Sequence, residues 1–150
     1  MISYLNRKPA IIIVDDHAVF RHGLKSILTI ENLATVIGEA SNGKDFIELL
    51  SSQNPDLVLM DIDMPGMNGI EATRQALELQ PELKIIVFTM FGEVESFSVM
   101  IDQGVKGFIL KSGGIDELEI AIRDVMKGKN YFSAEIKNKL YKNFYRNKSN

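Results

Sequence analysis

Asp15, Asp16, Asp61, Asp63, Thr89 and Lys111 are the residues of this chain whose chemistry could act together, because each stands at or just beyond the end of a short apolar run. If those run ends meet, three or four carboxylates share one place. Two unit charges about 4 Å apart repel by roughly 4 kcal/mol at an effective dielectric near 20. Proton uptake could offset this by raising a pKa, or a cation could bind. The cation is the preferred solution, and an all-oxygen donor set suits magnesium, which keeps several waters and uses few carboxylates. Lys111 can balance one carboxylate and pair with an incoming phosphoryl oxygen, while the Thr89 hydroxyl can donate to another. A carboxylate attacks phosphorus only where the phosphoryl charge is neutralised, which metal and lysine together would do. Asp61 is the nucleophile candidate, freed from helical packing by the loop Met64-Pro65-Gly66-Met67-Asn68-Gly69.

The elements that must position these groups follow from periodicity. Apolar runs over residues 10–14, 34–38, 57–60, 85–88 and 107–110 read as five strands. Runs such as Ile11-Ile12-Ile13-Val14 are continuous rather than alternating, as expected of parallel strands covered on both faces. Between them, stripes with helical spacing are carried by Phe20, Leu24, Ile27 and Leu28; by Phe46, Leu49 and Leu50; and by Ile70, Thr73 and Leu77. Val94, Phe97 and Ile101 supply a fourth stripe, and Ile115, Leu118, Ile122 and Val125 a fifth. Strict alternation predicts a doubly wound α/β domain with a five-stranded parallel sheet in the order 2-1-3-4-5. In such a sheet the C-terminal strand ends share one rim, where ligands bind.

The chain has 150 residues, 45% of them hydrophobic, enough for one domain with a full core. It has no cysteine, which excludes disulfides, thiolate metal sites and thiol nucleophiles. Nothing in the sequence targets a membrane, and a cytoplasmic location is expected. The net charge of -3 hides an asymmetry: residues 1–126 carry 10 basic and 19 acidic side chains, residues 127–150 carry 7 and 1. Residues 1–127 are therefore expected to form the domain and residues 128–150 a basic C-terminal helix or linker. There Ser133 caps a sixth helix, with Ile136, Leu140 and Phe144 on one stripe and Tyr141 and Tyr145 beside it. The plain reading of this helix is docking through the stripe. The alternative is nonspecific contact with nucleic acid.

Asp15-Asp16, Asp61 within Asp-Ile-Asp-Met-Pro-Gly-Met-Asn-Gly, Thr89 and Lys111 together resemble the receiver domain of bacterial two-component response regulators, over about residues 9–127. Asp-Asp-His-Ala-Val-Phe-Arg-His-Gly-Leu and Gly-Phe-Ile-Leu-Lys resemble the branch whose receivers precede a LuxR-type helix-turn-helix domain. The resemblance implies a flavodoxin-like fold and phosphoryl transfer to Asp61 from a sensor histidine kinase. It also implies Mg2+ held by Asp15, Asp16, Asp61 and the Asp63 backbone carbonyl. Thr89 and Lys111 would bind the phosphoryl group, and Phe108 would be the switch aromatic that turns inward, changing a surface near Val94, Met100 and Val105. A phosphorylation-dependent homodimer would form, and DNA would be reached only through an output domain beyond this chain.

Three positions depart from the common family pattern: Ser112 replaces a frequent cis-proline, Asp63 adds a charge, and Met90 stands where a small residue is common. The bulk of Met90 implies restricted hydrolysis and a long-lived phosphorylated state. Other readings are a stand-alone receiver or a haloacid-dehalogenase-like phosphatase using Asp61 and Asp63. His17 and His22, five apart on the first helix, read as surface or cap residues.

Overall fold

The computed structural model describes the backbone of residues 7–90 and 94–148, and the side chains of residues 7–90 and 96–146. The elements are β1 (Ala10–Val14), α1 (Ala18–Ile30), β2 (Thr35–Ala40), α2 (Gly43–Leu50), β3 (Leu57–Met60), α3 (Gly69–Leu79), β4 (Lys84–Thr89), α4 (Val94–Gln103), β5 (Gly107–Leu110), α5 (Gly114–Met126), β6 (Tyr131–Phe132) and α6 (Ala134–Lys148). A single 3-10 turn, Lys111–Gly113, joins β5 to α5.

The continuous apolar strands divide by their two-residue period into two cores. Ile12, Val14, Val58, Met60, Ile85, Val87, Phe108 and Leu110 face one layer, shared with Phe46, Ala72 and Phe97 from α2, α3 and α4. Ile11, Ile13, Leu57, Leu59, Ile86, Phe88 and Ile109 face the other, shared with Leu24, Leu28, Leu118 and Ile122 from α1 and α5. Both faces are therefore sealed, as the unbroken runs require. The fourth stripe packs as expected at Phe97 and Ile101, whereas the Val94 side chain lies outside the described residues.

All pairings are parallel and the order is β2-β1-β3-β4-β5-β6, a flavodoxin-like arrangement with six strands, not the expected five. The additional strand falls within residues 128–150, expected to be only a basic helix or linker. β6 has only two residues, too few to show any periodicity, and it exists because its backbone completes the free edge of β5. Tyr131 N–H donates to the Lys106 carbonyl (2.9 Å) and Ser133 N–H to the Phe108 carbonyl (3.1 Å). Gly107 permits this approach, since a Cβ there would lie 2.9 Å from Ile86 Cγ1 and 3.2 Å from the Tyr131 carbonyl oxygen.

The C-terminal helix α6 is present. Ser133 Oγ accepts a long hydrogen bond from Ile136 N–H (3.4 Å) at its start. Ile136 is fully buried and Leu140 packs against the same core layer. Phe144 shares their stripe but is exposed, as are Tyr141 and Tyr145. Among the described residues, no helix is long and apolar enough to cross a membrane.

Candidate functional site

The rim is built by letting each strand run one residue past its apolar segment. Asp15 N–H donates to the Ala40 carbonyl (3.0 Å) and Asp61 N–H to the Val14 carbonyl (2.9 Å), so both aspartates continue the sheet's own hydrogen-bond ladder. Asp61 is held further by the turn behind it. Asn68 caps α3 by accepting from Ile70 and Glu71 N–H. Gly69 N–H donates to the Ile62 carbonyl (2.8 Å), and a Cβ on Gly69 would collide with the Asp61 carbonyl oxygen. The Asn-Gly pair in the loop thus sets where the acceptor strand ends.

Lys111, from the 3-10 turn after β5, reaches across to both aspartates. Its Nζ lies 2.6 Å from Asp15 Oδ2 and 3.3 Å from Asp61 Oδ2. All three side chains are almost fully buried. The Lys111 ammonium also stands 4.1 Å from the centre of the Phe20 ring, which strengthens its hold on a dry position. Asp61 Oδ1 accepts from Ile62 N–H (2.9 Å) and Asp15 Oδ1 from His17 N–H (2.8 Å). Arg21 braces the loop from behind: Nη1 donates to the Asp15 carbonyl (2.6 Å) and Nε to Glu39 Oε1 (3.1 Å).

This match is incomplete. One lysine faces several carboxylates, and burial pushes the Asp61 carboxyl above its ordinary value; Lys111 pulls it back down and the neighbouring Asp15 charge raises it again. Asp16 Oδ1 is buried with no hydrogen-bond partner. A buried anionic oxygen left unpartnered is costly. Single donor atoms from Asp15, Asp16, His17 and Asp61 all lie within 4.8 Å of one another. A hard divalent cation fits this set, since it would supply the charge that Lys111 does not and a partner for Asp16 Oδ1.

The structure therefore brings Asp15, Asp16, Asp61 and Lys111 together. Thr89 ends β4 and is buried, paired in register with Leu110. Phe108 is fully buried, edge-on to Phe97 with ring centres 4.4 Å apart, so its ring already lies inward. Asp63 is exposed, and its carboxylate is not part of the acidic group. The bond to Ser112 is trans, as are all the described peptide bonds. Met90 is exposed beside Phe20, Lys111 and Ser112. His17 is an exposed N-cap residue of α1, as its surface or cap reading had it, but its membership of this group was not foreseen. Comparing it with His22 concealed the relevant signal, its place directly after Asp15-Asp16.

The fold and this rim define a class. Residues 11–123 match the response regulator receiver domain family, and the chain belongs to that family, the receivers of two-component systems. It is homologous to LuxR-type regulators: it is 34% identical to the transcriptional regulatory protein DegU of Brevibacillus brevis, over 93% of this chain and 59% of that one. It is 39% identical to the response regulator GacA of Pseudomonas aeruginosa, over 87% of this chain and 61% of that one. A LuxR-family two-component response regulator from Aurantimonas sp. SI85-9A1 superimposes with a TM-score of 0.87 at 28% identity, covering 93% of this chain and 99% of its own. The chain spans about three-fifths of the length of these two curated relatives. Family membership sets the phosphatase reading aside, and the exposed Asp63 carboxylate offers it no acid beside Asp61.

Proposed function

We propose that this chain is phosphorylated on Asp61 by a phosphohistidine of a sensor histidine kinase and passes that event to a transcriptional output. The observation that carries the reading is the Lys111 ammonium bridging Asp15 and Asp61 next to a buried oxygen of Asp16 that accepts no hydrogen bond. A carboxylate oxygen of Asp61 attacks phosphorus, the phosphorus–nitrogen bond breaks, and the imidazole leaves with the bonding pair. Lys111 exchanges part of its contact with Asp15 for a phosphoryl oxygen, and the Thr89 hydroxyl donates to another. Mg2+ held by Asp15, Asp16, Asp61 and the Asp63 carbonyl supplies charge neutralisation when bound. Such a receiver works in the cytoplasm, where kinases form phosphohistidine from ATP.

In this reading Thr89 and Phe108 carry the change away from the rim, biasing a two-state equilibrium towards a homodimer, with DNA reached through an output domain outside these residues. The transcriptional role of DegU supports that direction. Incubation with Mg2+ and acetyl phosphate, followed by intact-mass measurement, tests the core of it. The wild type gains one phosphoryl group and Asp61→Asn gains none; equal gain in both, or gain in neither, overturns the reading. Met90 predicts a half-life well beyond seconds for the phosphorylated form, read by the decay of the added mass.

A further inference from the structure

We infer that His17 is a further ligand of the cation this pocket takes, and that its imidazole tilts the pocket towards a first-row transition ion over magnesium. The inference rests on the reading of the rim as a cation site. His17 Nδ1 stands 3.2 Å from Asp16 Oδ1 and 3.3 Å from Asp15 Oδ1. Adjacent ligands on a six-coordinate ion with bonds near 2.1 Å sit about 3.0 Å apart, and opposite ligands about 4.2 Å. The two His17 distances match adjacent ligands, and the four donor atoms of Asp15, Asp16, His17 and Asp61, all within 4.8 Å of one another, need only a small side-chain adjustment to contract into one such shell.

Two further observations single out the imidazole. Asp16 Oδ1, 3.2 Å from His17 Nδ1, is buried and accepts no hydrogen bond. The His17 backbone is fixed, because its N–H donates to Asp15 Oδ1 (2.8 Å) and its carbonyl accepts from Arg21 N–H (2.9 Å). Only the side-chain torsions remain, and the side chain is 68% exposed at the mouth of the pocket, so Nδ1 can close on an ion without repacking a neighbour. Lys111 Nζ meanwhile holds the Oδ2 atoms of Asp15 and Asp61. The N-cap residue of α1 therefore offers one nitrogen donor to a site otherwise made of oxygens.

Chemistry decides which ions benefit. Magnesium is hard, holds its waters tightly and gains little from a nitrogen ligand. Imidazole suits borderline ions, whose affinities rise from manganese through cobalt to nickel. Loss of His17 should therefore penalise a transition ion and nearly spare magnesium. His22, likewise exposed but on α1 itself five residues further on, is the internal control.

The test is calorimetric titration of the full chain with Co2+ and with Mg2+, together with the visible spectrum of the Co2+ form, for the wild type, His17→Ala, His17→Gln and His22→Ala. His17→Ala and His17→Gln should weaken Co2+ by about 10- to 100-fold, shift its visible bands, and move Mg2+ by less than about threefold. His22→Ala should match the wild type, and metal-free thermal unfolding should show that every variant folds. Equal weakening of both ions would make His17 only a brace for the loop and overturn the inference. So would unchanged Co2+ binding in His17→Ala, or no Co2+ binding by the wild type. Phosphoryl uptake with Mg2+, followed by mass, separates the two claims. Uptake with an unaffected Co2+ titration defeats the His17 assignment alone, whereas the expected Co2+ result without uptake defeats the phosphoacceptor reading alone.

Discussion

Two parts of this molecule bury groups that need a partner from far along the chain, and they find it by opposite physics. At the rim, Asp15 and Asp61 are matched by Lys111, 96 and 50 residues away, through charge. At the sheet edge, β5 is matched by β6 and α6 through main-chain hydrogen bonds and the buried side chain of Ile136. The charged match is incomplete: Asp61 is pushed towards its protonated form and one buried oxygen of Asp16 has no hydrogen bond. The apolar match has no such deficit. A single added charge can therefore rearrange the rim, whereas the edge responds only to changes in packing. The two meet on one strand, because Phe108 in β5 accepts from Ser133 and Lys111 follows directly after β5.

The comparison fails if the rim's lysine proves dispensable. Lys111→Met would leave two buried carboxylates without a cation, a change of the kind that costs about 3–5 kcal/mol. Urea unfolding at neutral pH without divalent ions should show that loss, and added Mg2+ should recover part of it. A neutral or stabilising result would mean that the aspartates are matched by something else. At the edge, Ile136→Ala should cost about 2–4 kcal/mol through lost burial and the cavity left behind. The same unfolding measurement reads it, but here Mg2+ should restore nothing, and phosphoryl uptake should stay at the wild-type level.

Asp61 sharpens the contrast by reversing its sign. Its carboxyl is raised by burial, so the folded state holds the proton more tightly than the unfolded chain does. The stability linked to that proton is fully present below the unfolded value and is lost as pH rises through the raised folded value. At neutral pH without metal, ionised Asp61 is therefore a cost, and Asp61→Asn should stabilise the chain by about 1 kcal/mol, a rise of a few degrees in Tm. The gain should shrink as pH falls through the raised folded value and be gone by about 4, near the unfolded value, below which the carboxyl is protonated in both states. A destabilised Asp61→Asn chain at neutral pH would show that the site is satisfied rather than poised.

The difference between the regions also explains how much could be read in advance. Asp15, Asp61 and Lys111 were legible because parallel strands bring their C-terminal ends to one rim whatever the loops do. The edge was less so. Residues 131 and 132 carry no periodic signal, and their pairing with β5 is a main-chain event that Gly107 permits by lacking a side chain. Phe144 was legible as part of a stripe with Ile136 and Leu140, yet it is exposed, because a stripe gives the face of a helix and not how far its neighbour extends. The place of His17 in the acidic group was missed because the carboxylates near it stand beside it in sequence, whereas the spacing considered was that to another residue along the helix.

The smallest test asks whether the edge is held by side chains or by main chain. Ser133 is buried, and its hydroxyl accepts from Ile136 N–H at 3.4 Å, near the outer limit of a hydrogen bond. Its own N–H donates to the Phe108 carbonyl at 3.1 Å, and its carbonyl accepts from Lys137 N–H at 3.0 Å; an alanine keeps both. Ser133→Ala should therefore cost only about 0.5 kcal/mol, the lower end for a lost cap. Hydrogen exchange should quicken at the Ile136 amide while the Ser133 and Lys137 amides keep their protection. If the Ser133 amide also quickens, the hydroxyl rather than the β5 ladder anchors α6, and the edge depends on polar side chains as the rim does.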